Sequence, residues 1–226
     1  MMKANASLRL VALCAVAGLA AGCATPPPPF DYTNFRAANP RSILVLPPLN
    51  QSPDVKASNS VWAQSVVPLA ESGYYVMPVA LVAETFRENG LNNPAEAHEA
   101  NPAKLVEFFG ADAALYLNVK EYGTSYKLIA SDTTVAVEAR LIDLRSGQKL
   151  WEGSARASSS EQQQAAQGGL VGLLVQAIVK QIIESATDHG HPIAGVASHR
   201  LLASGRPGGM LYGPRSPLHR QEQVSR

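Results

Sequence analysis

Cysteine is nearly absent: 226 residues hold two, Cys14 and Cys23. Cys14 lies inside an N-terminal apolar run that reads as a removed leader, so the remaining chain keeps one thiol and can form no internal disulfide. Charge is sparse as well, 16% of residues with a formal net charge of +1. Loss of Lys3 and Arg9 with the leader turns the balance slightly acidic. A nucleic-acid reader gathers a basic surplus on one face, so no nucleic-acid partner is expected. Long apolar runs are also lacking. Leu8 to Ala21 covers about 14 residues, short of the roughly 20 a membrane span needs. Leu170 to Ala186 is interrupted by Gln176, Lys180, Gln181 and Glu184, a pattern that suits a helix lying across a sheet. Finally, the chain has no Gly-x-Ser-x-Gly, no Gly-x-x-x-x-Gly-Lys and no His-Glu-x-x-His. It is therefore read as a non-enzyme with no catalytic residues and no cofactor.

What is present begins at the N-terminus. Lys3 and Arg9 precede a run of Leu, Val, Ala and Gly that ends in Ala20-Ala21-Gly22-Cys23, the order of a secretory signal with a small-residue cleavage site. Residues 1–22 are expected to be a signal peptide cut after Gly22. The site resembles the bacterial lipobox, with Ala20 where that pattern prefers Leu. The resemblance implies a lipid on Cys23, and Ala24 in place of Asp after it implies the outer membrane, periplasmic face. Each buried acyl methylene contributes about 0.8 kcal/mol, so two or three chains of the palmitate kind hold a protein effectively for good.

Residues 23–40 form the lipidated cysteine and its linker, where Pro26 to Pro29 favour an extended spacer. Residues 41–188 read as an α/β domain and 189–226 as a Gly-, Pro- and Arg-rich segment, mostly irregular. In the domain, Ile43 to Leu46 is a β-branched apolar run stopped by Pro47, a buried strand. Val61, Trp62, Val66, Leu69 and Ala70 recur at helical spacing, with Pro68 expected to kink or break the helix. Tyr74 to Met77 reads as a strand and Val79 to Asn89 as a helix closed by Gly90. Asn101 and Pro102 open a third helix that Gly110 ends. Ala113 to Glu121 alternates as a half-buried strand. Val135 to Leu141 alternates too, and pairs across Arg145-Ser146-Gly147 with a strand carrying Trp151, Gly153 and Ala155. Leu170 to Ala186 is expected to pack across the resulting sheet.

Three segments, Arg41 to Pro48, Pro68 to Val79 and Gly110 to Tyr116, together with Gly209 to Arg215 near the end, resemble the GNA1162 family of bacterial lipoproteins, domain of unknown function 799. More distantly, the first strand, the Gly-Ala-Asp segment and the hairpin with Asp143, Gly147 and Trp151 look like the TolB N-terminal and CsgG-type domain. The resemblance implies a single small mixed sheet, α/β (α+β), with helices mainly on one side. It also implies a place in a cell-envelope assembly or secretion system beside a CsgG-like lipoprotein. It supplies no catalytic residues.

Other candidates come from residue types. His189, His191 and His199 could donate imidazoles to a metal, but their Gly-rich setting favours solvated side chains and no metal site is assigned. Asp112 reads as a turn or cap rather than a lone reactive carboxylate. Tyr74, Tyr75, Tyr116, Tyr122 and Tyr126 could make a ligand platform or simply pack the core. Arg200, Arg206, Arg215, Arg220 and Arg226 face one acid, Glu222, and could grip an anionic surface at about 1 kcal/mol per charge or only keep the tail soluble. Met210, Leu211 and Tyr212 sit in chain too polar to hold its own core, so they should dock on this domain, on a second copy or on an envelope lipoprotein partner. Two further readings stand beside the accessory one: a periplasmic binding module for cell-wall glycan or a small ligand, and a hydrolase of unrecognised type.

Overall fold

In a computed structural model of the chain, residues 30–126, 131–161 and 188–224 are described. The signal peptide, Gly22, Cys23, linker residues 24–29 and the Leu170 to Ala186 segment lie outside them. Helix α1 (Thr33–Ala38) leads into strand β1 (Ser42–Val45) and the short β2 (Leu49–Asn50). Helix α2 (Ala57–Glu71), strand β3 (Tyr75–Val76) and helices α3 (Val79–Glu88), α4 (Pro94–Glu99) and α5 (Pro102–Phe109) follow. Three long strands come next, β4 (Ala113–Tyr126), β5 (Ser131–Asp143) and β6 (Lys149–Ser158), then helices α6 (Gly190–Leu202) and α7 (His219–Val224).

The sheet is six-stranded and mixed, in the order β3-β1-β4-β5-β6, with β2 pairing β4 beyond β1. β1 runs parallel to β3 and β4, while β4, β5 and β6 are antiparallel. Strict alternation decides which face is buried. Val135, Val137, Ala139 and Leu141 of β5 are buried, whereas Glu138 and Arg140 are exposed. Their register partners Val119, Leu117 and Leu115 on β4, and Trp151 on β6, lie on the same inner side. Helix α2 packs along α6, and α6 crosses β5 and β6. At that crossing there is no room for a side chain on Gly153: a Cβ would lie 2.5 Å from the Trp151 ring and 3.3 Å from Leu201 Cδ1.

Local chemistry accounts for the element ends. Asn101 Oδ1 accepts from Ala103 N at 2.8 Å and Gly110 closes α5 in the left-handed conformation, as read. The β5–β6 turn is held by Asp143 Oδ2, which accepts from Ser146 N at 2.8 Å. Pro68 does not break the helix, since α2 runs through it to Glu71. It falls in the last turn, whose end is held where Ser72 gives both its N–H (3.1 Å) and its hydroxyl (2.7 Å) to the Pro68 carbonyl.

Four helices were not read from the sequence: α1, which falls in the stretch read as linker, α4, α6 and α7. α4 starts on a capping box in which Asn93 Oδ1 accepts from Glu96 N and the Glu96 carboxylate accepts from Asn93 N. α6 occupies chain read as irregular. Its Gly190 and Pro192 stand in the first turn, where Pro removes no needed N–H. Ile193, Ala194, Ala197, Leu201 and Leu202 then face the core.

Candidate functional site

The C-terminal chain after α6 forms a strap across one end of the sheet. Trp151 Nε1 donates to Gly208 O (2.9 Å), Tyr32 Oη to Gly209 O (2.6 Å) and Tyr74 Oη to Leu211 O (2.6 Å). Gly213 N donates to Ser72 O at 2.8 Å and Arg215 N to Gly73 O at 3.2 Å. Burial raises the Tyr74 phenol far above its ordinary range, so it stays a neutral donor. Met210 is 1% exposed and belongs to the core, while Leu211 and Tyr212 are half-buried. Met210, Leu211 and Tyr212 therefore dock in cis.

Among the described residues, the opposite face of the sheet carries no such cover. Across β4, β5 and β6 the register sets Tyr116, Arg140 and Glu152 in one row and Asn118, Glu138 and Ser154 in the next. These residues, with Leu49 and His98, line a concavity of about 410 Å³, within the range of small-molecule sites. The α4 capping box delivers His98, whose ring meets Tyr116 edge-on at 5.1 Å and whose Nε2 lies 3.0 Å from Pro47 O. Burial lowers the His98 pKa, opposed by the Pro47 bond and assisted by Arg140. The neutral ring thus donates Nε2–H to Pro47 O. Among the described residues, Asn118 Oδ1 is buried without a hydrogen-bond partner. His98 was missed because α4 was missed; the Asn93-Pro94-Ala95-Glu96 signature would have found it.

The other sequence candidates are dispersed. Asp112 is structural: Oδ2 accepts from Arg41 N (2.9 Å) and from Ser42 N and Oγ, while Oδ1 meets Arg145 Nη2 at 2.6 Å. Burial alone would raise its pKa, but these donors outweigh it and hold the carboxyl below its usual range. His191 is engaged at both ring nitrogens, by Ser60 Oγ and Gln64 Nε2, each at 2.8 Å. That Ser–His pair, unforeseen in the sequence, ties α2 to α6. His199 lies two turns further along α6, and no group of three or more metal-ligating side chains occurs among the described residues. Tyr74, Tyr75, Tyr116 and Tyr122 form no common platform, and the Tyr126 side chain lies outside those described. Tyr74 is in the strap, Tyr116 on the open face, and Tyr122 donates to Asp188 Oδ2 at 3.0 Å. Tyr75 lies at the β3 edge beneath the Arg215 guanidinium, 5.5 Å from its centroid.

Several large apolar side chains are open to solvent, among them Val67 on α2 (56%), Tyr75 on β3 (47%), Leu81 on α3 (60%) and Phe108 on α5 (50%). Among the described residues, no helix is long and apolar enough to cross a membrane.

Comparison with known proteins agrees with these features. The family described as "Putative lipoprotein GNA1162-like" matches residues 30–215. The "Putative lipoprotein NMB1124/NMB1162" of Neisseria meningitidis serogroup B is 48% identical over 206 residues, 91% of this chain and 95% of that protein. The crystal structure of lipoprotein GNA1162 from Neisseria meningitidis matches with a TM-score of 0.51 at 50% identity, covering 65% of this chain and 100% of that one.

Proposed function

Because the chain belongs to the GNA1162-like lipoprotein family, we propose that it is an outer-membrane protein, lipidated at Cys23 after cleavage at Gly22 and facing the periplasm. There it serves as a non-catalytic accessory in envelope assembly or secretion, and its partner is a CsgG-like lipoprotein. The observation that carries the reading is the exposure of the apolar residues Val67, Tyr75, Leu81 and Phe108. Protein interfaces are enriched in such side chains at their centre, inside a polar rim. Arg215 over Tyr75 joins the strap to one of these side chains, so Leu211 and Tyr212 border the proposed contact while Met210 holds the strap from within.

The test is co-purification of a CsgG-like lipoprotein with the native chain from detergent-solubilised envelopes, compared with Leu81→Asp and Phe108→Asp. Both positions are exposed, so the variants should keep the native melting temperature and lose the partner. Full retention of the partner by both would refute the proposed surface.

A further inference from the structure

The geometry points to a saccharide-binding groove on the open face of the sheet, built by Tyr116, Asn118, Glu138, Arg140, Glu152 and His98. This surface is distinct from those exposed apolar residues and does not depend on the partner proposed for them. The concavity of about 410 Å³ is wide enough for a short oligosaccharide and shallow enough to admit one from solvent.

The chemistry of the lining selects the ligand. Register places Tyr116 opposite Arg140 and Arg140 opposite Glu152, with Asn118 opposite Glu138 in the adjoining row. One cation therefore lies among two carboxylates. An anion drawn to Arg140 meets Glu138 and Glu152, and a cation drawn to the carboxylates meets Arg140. Lys120 pairs with Glu138 at 3.6 Å and Lys149 with Glu152 at 2.8 Å, so charges of both signs are interleaved and largely paired across the lining. An uncharged ligand whose groups both donate and accept satisfies all of these side chains at once, and sugar hydroxyls do so.

Two further features favour a ring over an extended peptide. Tyr116 is held by His98 edge-on, which fixes its ring and leaves an aromatic surface for the C–H face of a sugar. Asn118 has a buried amide oxygen without a partner among the described residues, an arrangement that costs stability. A ligand hydroxyl that reached Asn118 would supply the missing donor. A peptide strand binds through backbone ladders at a sheet edge, and this face offers side chains instead.

The full-length lipidated protein, in a detergent without sugar head groups, is titrated calorimetrically with maltotriose, cellotriose and chitotriose. At least one should bind, with little change in affinity between low and high salt. Arg140→Ala and Tyr116→Phe should hold the native melting temperature. Arg140→Ala should weaken binding about tenfold, a loss of about 1.4 kcal/mol; Tyr116→Phe, which keeps the ring, should weaken it less. Absence of binding for all three sugars at tens of millimolar overturns the proposal. So does binding that Arg140→Ala leaves unchanged, or binding confined to an acidic peptide and abolished by salt.

Discussion

Gly213 crosses Gly73 with backbone against backbone: a Cβ on Gly213 would lie 2.6 Å from the Gly73 carbonyl carbon and oxygen. Gly73 itself sits at φ +95°, and a Cβ there would fall onto Ser216. Two segments 140 positions apart in the chain are thus fitted together at a point where neither tolerates a side chain. Gly213→Ala should destabilise the protein by about 1–3 kcal/mol through overpacking. Gly73→Ala should cost more, because it adds a left-handed backbone conformation to the clash. Chemical denaturation with an unchanged m-value checks both.

Removing the strap tests its place in the fold. Deletion of Ser204 to Arg226 leaves Trp151 Nε1 and the Tyr74 hydroxyl without their carbonyl partners and uncovers the apolar surface under Met210. The melting temperature should fall by roughly 10 °C or more. Trp151→Phe, which removes the hydrogen bond to Gly208 and puts a smaller ring in a fully buried site, should cost roughly 2–3 kcal/mol. An intact melting temperature for the deletion would mean that the strap is not part of the core.

Asp112 gives a pH dependence with a defined sign. Its carboxyl is held below the ordinary 3.8 in the folded chain, so the unfolded state binds its proton first as pH falls. The stabilisation is complete above about that ordinary value and is lost as pH drops through the folded one. Asp112→Asn should lower stability at neutral pH by about 1–3 kcal/mol. The gap to the native protein should narrow in thermal melts below pH 4.

Much of this fold is legible in the sequence. The alternation of Val135, Val137, Ala139 and Leu141 defines a half-buried strand whatever its neighbours, and Asp143 with Gly147 supplies the turn that follows. The strap is legible only as an apolar cluster needing a dock. Its seat on Ser72 and Gly73 depends on chain far away, which no local pattern encodes. α6 is hidden by the Gly- and Pro-rich composition of 189–226, although Gly190 and Pro192 both stand in its first turn. The recurrence of Ile193, Ala197 and Leu201 at every fourth position was the stronger signal. The groove was the least visible feature. It is assembled by cross-strand register and by a short helix that brings His98 over Tyr116, so its members are far apart in sequence and individually ordinary.

The central claim is that this family member works as a lipid-tethered domain at the envelope, and fractionation of Cys23→Ser tests it most directly. The native chain should sediment with membranes and carry an acyl mass on its N-terminal peptide. The variant, folded as before, should move to the soluble periplasmic fraction. A Cys23→Ser protein that partitions into membranes as fully as the native one would contradict the account.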